Sequence, residues 1–170
     1  MKLVMDPRSP ATPVVLAEQF RLGRQMFSEA VEARRALGEI GSVQKQVGEA
    51  EKKPAAQDAQ FKSTLLDAKS QLSKLLSSKD RAPEQGAGLM DAYKDLASAL
   101  RVVESGDRAV PSQAIAVYEE SSRQIKARMS EWAAFKASTL QALNQQLYQV
   151  SLAPIRIGDS EQGLEYLMSQ

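Results

Sequence analysis

Asp91 and Asp95 stand one helical turn apart in the chain, and Glu119 and Glu120 are adjacent. Carboxylates paired in this way could divide acid and base work, provided burial raises the pKa of one while the other stays ionised. Their surroundings speak against it: Lys94 and Lys126 lie close by and the flanking residues are polar, which describes a solvated helix face. Arg34 falls on the side of its helix that carries Phe27 and Leu37, near the expected core. It reads as a snorkelling side chain or an ion pair with Glu131 or Asp67, with anion binding as the competing chemistry. Trp132 and Phe135 read as core filling rather than as an aromatic ligand box. Gly23, Gly38, Gly41 and Gly48 make no phosphate loop, because no strand precedes them and no P-loop lysine pattern follows. They read as sites of close helix approach or of fraying. No residue emerges as catalytic, cofactor-binding or metal-binding.

What the chain lacks narrows the chemistry further. It has neither His nor Cys. Zinc sites of the thiolate and imidazole kind, Ser-His-Asp and Cys-His relays, and di-iron bundles built on Glu-x-x-His are therefore all excluded. Disulfides are excluded as well, and the redox compartment cannot be read. The formal net charge of +1 is spread over interspersed cations and anions, with no basic stripe for phosphates, so nucleic acid is not an expected partner. No apolar run approaches the roughly 20 residues of a membrane span, and no apolar signal-peptide core stands at the N-terminus. A lipid-surface helix would line its polar face with Lys and Arg, whereas these faces are mixed and rich in Gln, Ser and Ala.

The elements that must position any site are helices. Thr12-Pro13 supplies a cap and a proline at the first helical position, and proline's missing N–H is unpaired there anyway. Leu16, Phe20, Phe27 and Leu37, with Ala30 between, then recur three or four apart, and Met26, Ala33, Ile40, Val43 and Val47 widen that face. This predicts one helix to about Lys52, ending before Pro54. A second, from about Ala55 to Ser77 or Ser78, carries the seam Phe61, Leu65, Ala68, Leu72, Leu75 with Leu76 beside it. "KDRAPEQGAG" connects it to a third stripe, Leu89, Tyr93, Leu96, Leu100 and Val103, stopped at Gly106-Asp107. The fourth starts at Pro111 or Ser112 with Ile115, Tyr118, Ile125, Met129 and Trp132. It shifts phase near Phe135 and continues through Leu140, Leu143, Leu147 and Val150 to Pro154. The tail after Pro154 has room for one short turn, capped by Asp159 or Ser160, with Leu164 and Leu167 inward.

Such stripes must be buried against one another. The expected fold is all-α: an antiparallel up-down four-helix bundle over residues 12–155, with two long outer helices and two shorter inner ones. Residues 1–11 read as a strand remnant, Leu3-Val4-Met5, plus a linker, and residues 156–170 as a tail. The surplus length of the long helices either projects as a stalk or pairs with a second copy, giving a homodimer.

"LVMDPRSP", followed by a helix beginning "LAEQF" and continuing "EARRAL", carries a resemblance. So do "DRAVPS" at Asp107 to Ser112, Leu143-Asn144-Gln145-Gln146-Leu147, and the close at Pro154-Ile155. In this order and spacing they resemble the C-terminal helical region of large bacterial proteins with sortilin-like, BNR-repeat β-propellers, described as glycosyl hydrolases. The resemblance spans roughly Leu3 to Ile155; the glycines of the first helix and the tail from Arg156 depart from it. It implies that Leu3 to Met5 end a strand of a preceding β-domain, and that the parent protein is secreted or periplasmic. It also implies that this chain is a non-catalytic accessory domain, packing on the rest of its parent chain or self-associating. Any glycosidic carboxylate pair would then belong to the propeller, so no enzyme activity is expected of these residues. A free-standing helical adaptor or oligomerisation module is the alternative.

Overall fold

The computed structural model describes residues 11–54, 58–80, 82–106, 108–158 and 160–169. The expected strand remnant at Leu3 to Met5, the stop at Asp107 and the cap at Asp159 lie outside them. Among the described residues every regular element is helical: α1 (Pro13–Glu51), α2 (Ala59–Leu76), α3 (Leu89–Glu104), α4 (Ser112–Ala137), α5 (Thr139–Gln149) and α6 (Ser160–Met168), with short 3₁₀ turns between α2 and α3.

The starts follow their local chemistry. The Thr12 hydroxyl accepts from the Val15 amide at 3.3 Å, with Pro13 in the first turn. Asp58 accepts from the Phe61 amide at 2.9 Å and so opens α2 a few residues beyond the predicted Ala55. Gly86, at φ +72, makes the turn before α3 in a backbone region that favours glycine.

The fourth predicted helix is two. α4 ends at Ala137 and α5 begins at Thr139, close to the place where the apolar phase shifts. Ser138 breaks the run at φ −119 and ψ −70, with its hydroxyl donating to the Ala134 carbonyl at 2.9 Å. A serine that bonds back one turn bends a helix in this way.

Two contacts fix how the long elements run. Tyr118 donates to Glu29 at 2.9 Å, and the Trp132 indole donates to Glu39 at 3.1 Å, so α4 runs parallel to α1. α3 runs the other way, because Gln19 near the start of α1 donates to the carbonyls of Val103 and Gly106 at the end of α3. α2 lies further along α1: Lys69 pairs with Glu51, and Thr139 of α5 donates to Gln71.

This arrangement differs from the expected inner pair of helices. α2 packs on α1 and α5, and α3 packs on α1 and α4, while α2 and α3 touch little. Their contact is end to end: a methyl on Gly88, at the start of α3, would stand 2.5 Å from the Leu76 carbonyl at the end of α2. The chain therefore goes out along α1, returns through α2 and then α3, and goes out again through α4 and α5. α1, α3 and α4 enclose the core along the first half of α1, and α1, α2, α5 and α6 along the second, and among the described residues no pair projects as a stalk. The buried apolar side chains Met26, Leu37, Ile40, Leu65, Leu72, Leu96, Trp132, Leu143 and Leu147 form one continuous cluster along this axis.

The tail forms the short helix that was expected, with Leu164 and Leu167 packed on the core. It is held at several points. Asn144 accepts from the Ile155 amide at 2.7 Å and donates to the Ile155 carbonyl at 3.0 Å, and Gln46 does the same for Arg156 at 3.0 and 2.7 Å. α6 then lies across α1 at Gly38 and Gly41.

Candidate functional site

The paired carboxylates are not brought into an acid–base site. Burial tends to raise the pKa of Asp91, but hydrogen bonds from the Ser78 hydroxyl and amide outweigh it and hold the carboxyl below its ordinary value. Asp91 thus ties the end of α2 to the start of α3. Asp95 and Glu119 are exposed. Glu120 is held below its ordinary value by hydrogen bonds from Arg123, at 2.6 Å, and from Gln124, at 2.7 Å. Among the described residues no group of three or more acidic side chains converges where a metal ion could sit.

Arg34 is not near the core. It is exposed, as is Asp67, and Glu131 pairs instead with Arg128, at 3.0 Å. Arg128 is the buried arginine, 5% exposed, and its Nε and Nη1 have no hydrogen-bond partner. With Ser121 and Gln124 it forms a buried polar stripe on α4. The only sequence signal for that stripe is its spacing of three and four.

Trp132 and Phe135 stack in the core as expected, with ring centroids 5.5 Å apart. Lys136 lies over the indole face at 5.2 Å. About four turns of α4 before Trp132, the Tyr118 phenol is pushed up to about 12, first by burial and then by its bond to Glu29.

The largest departure concerns the inward face of α1. Phe20 and Phe27, expected in the core, are 68% and 60% exposed, and Val31 is 51% exposed. Met26, Ala33 and Leu37 of the expected face are in the core, joined there by Leu22 and Ala36. The first half of α1 carries two apolar seams, and α3 and α4 cover only one.

The uncovered seam runs through Leu16, Phe20, Gly23, Phe27 and Val31. A cleft of about 380 Å³ opens along it, floored by Gly23 and walled by Phe20, Phe27 and Val103, with Arg24 and Glu104 at its rim. The Arg24 guanidinium lies over the Phe20 ring at 6.0 Å. A methyl on Gly23 would meet nothing nearer than Val103, at 3.9 Å, so nothing among the described residues requires glycine there.

The seam continues under α6. Eighteen residues, five helical turns, separate Phe20 from Gly38 and Gly23 from Gly41, so all four share one face of α1. α6 covers the second half of that face, and the first half stands open. Concave and aromatic, with Arg24 and Glu104 at its rim, it is an exposed apolar patch on the described surface. No helix of the described residues is long and apolar enough to cross a membrane. Compared with protein-family models, curated proteins and solved structures, the chain matches none.

Proposed function

We propose that this chain is a non-catalytic helical interaction module that works through the open face of α1. The observation that carries the reading is the exposure of Phe20, Phe27 and Val31 in one row beside the Gly23 cleft. Two aromatic rings so exposed in line mark a contact surface, since burial of each is worth about 1.5–3 kcal/mol. In the frame of the sequence resemblance, the module is the accessory C-terminal helical region of a larger exported β-propeller protein of the sortilin-like, BNR-repeat type. The open face then packs against the rest of the parent chain or against a second copy. The face begins within one turn of the start of α1, where a preceding domain would join. A glycosidase activity of the parent, if it has one, resides outside this module.

The same face supports a second reading, a free-standing oligomerisation or adaptor module. Two measurements separate them. Sequencing upstream of the Met1 codon is expected to reveal an in-frame propeller-coding region; a reading frame that begins at Met1 leaves only the free-standing module. Hydrogen exchange on the longer protein is expected to show slower exchange over residues 16–31 than in the isolated chain. Equal exchange rates would refute packing on the parent.

A further inference from the structure

We infer that the open face of α1 pairs with the same face of a second copy, the two helices lying antiparallel across their Gly23–Arg24 peptides. This rests on the reading of that face as the contact surface and names its occupant.

The argument is one of symmetry. Phe20 and Phe27 stand equally far from the Gly23–Arg24 peptide, on either side of it, and so do Leu16 and Val31. A two-fold axis through that peptide sets Phe20 against Phe27 of the second copy and Leu16 against Val31. Each residue then meets a partner of its own kind, as a self-complementary two-fold contact requires. Gly23 and Arg24 stand on opposite edges of the face, so at the centre Gly23 meets Gly23 of the second copy on one edge, where the missing side chains let the helices approach, and Arg24 meets Arg24 on the other. Among the described residues nothing else makes use of this helical glycine, which costs about 1 kcal/mol relative to alanine.

The ends fit as well. The open stretch is bounded on one side by the start of α1 at Pro13 and on the other by α6 over Gly38. In this register Pro13 falls opposite Arg34 of the second copy, so each α1 begins where the other is capped by α6. The two open stretches overlap along their whole length. Four aromatic rings and the aliphatic pairs bury on the order of 1,000 Å², the lower range for a specific contact, which gives a weak, concentration-dependent dimer.

Charge supplies a signature. Arg21 and Arg24 lie along one edge of the face beside Phe20, and the antiparallel two-fold brings that edge against its own copy. The repulsion is partly offset by stacking of Arg24 on aromatic rings, and salt screens the remainder. The dimer therefore tightens as salt is added, whereas an acidic partner or an anionic lipid surface would be released.

Sedimentation equilibrium of the intact chain tests this, with concentration and NaCl both varied. A reversible dimer is expected, tightening several-fold between low and high salt. Phe27→Asp is expected to weaken it by at least about tenfold with an unchanged helical circular dichroism spectrum. Because the chain has no cysteine, single-cysteine variants report the register. Arg24→Cys, close to the axis, is expected to oxidise to a disulfide-linked dimer, and Phe20→Cys, displaced from its own copy by the antiparallel register, is not. A strict monomer at all concentrations overturns the inference, as does a dimer untouched by Phe27→Asp or one that Phe20→Cys cross-links efficiently. A monomer would leave packing on a parent chain to the hydrogen-exchange comparison above, so the two readings fail separately.

Discussion

Gly163 of α6 lies so close to Gly38 of α1 that a methyl group on its α-carbon would stand 1.8 Å from the Gly38 carbonyl oxygen. The reciprocal methyl on Gly38 would stand 2.0 Å from the Ser160 carbonyl, and one on Gly41 would stand 2.2 Å from that of Gly163. Backbone meets backbone here, and only hydrogen side chains allow it.

Alanine at these positions therefore acts with opposite sign to alanine elsewhere in α1. Gly38→Ala or Gly163→Ala is expected to cost about 1–3 kcal/mol through overpacking and to speed hydrogen exchange across residues 160–168. Gly48→Ala, where a methyl meets nothing within 4 Å, is expected to stabilise by about 0.5–1 kcal/mol through helix propensity. Urea unfolding of the three variants, followed by circular dichroism, reads both signs. A stabilised Gly38→Ala would contradict the close crossing.

Two neighbouring residues of α1 separate its covered and open seams. Met26 is fully buried and Phe27 is 60% exposed. Met26→Ala is expected to cost about 2–5 kcal/mol, and Phe27→Ser within about 0.5 kcal/mol at concentrations where the chain is monomeric. Thermal unfolding of dilute protein checks the contrast, and equal losses would return Phe27 to the core.

That pair also shows what the sequence could and could not disclose. The stripes of α2, α3, α4 and α5 have a single apolar face each, so Phe61, Leu72, Leu96, Trp132 and Leu143 were legible as core and are buried. In the first half of α1 both seams are apolar, and periodicity has no means to rank them. Which one is buried depends on where α3 and α4 arrive, a tertiary fact. The four glycines of α1 read as places of close approach or of fraying, and only Gly38 and Gly41 are close approaches; their partner Gly163 sits in a tail whose docking depends on Asn144 and Gln46 binding backbone at Ile155 and Arg156. Arg128 was invisible for a similar reason: its burial comes from the neighbours that fold over it.

Trp132 is the single tryptophan, and Glu39 accepts from its indole at 3.1 Å. Glu39→Ala leaves that buried N–H without its partner and removes the carboxylate from Arg35 and Lys136, at 3.2 and 3.7 Å. A loss of about 1–3 kcal/mol is expected, with a shift in the tryptophan emission of the folded protein. Urea titration followed by that emission measures both, and unchanged emission would argue against the contact.

Tyr118 sets an alkaline limit. Its pKa is raised to about 12 by burial and by the Glu29 carboxylate, from an ordinary value of 10.0. The folded state therefore holds this proton more tightly than the unfolded chain does. The associated stability is complete below pH 10 and declines as pH rises towards 12, by an amount on the order of 2 kcal/mol. Phenolate absorbance is expected to show a late step near pH 12, and Tyr118→Phe to abolish it. Its persistence in the variant would assign it elsewhere.

The two interruptions in the outward and return legs fall at different heights. α2 gives way to α3 beside Gln124, which Gly86 touches, whereas α4 gives way to α5 at Ser138, level with Gln71. The joints are staggered as in a spliced rope, and α1 passes both without a break. Wherever one strand is cut, two intact ones bridge the gap, so the rod has no plane at which it can fold over. Only one of its three legs, α1, is continuous, and no joint crosses the whole section.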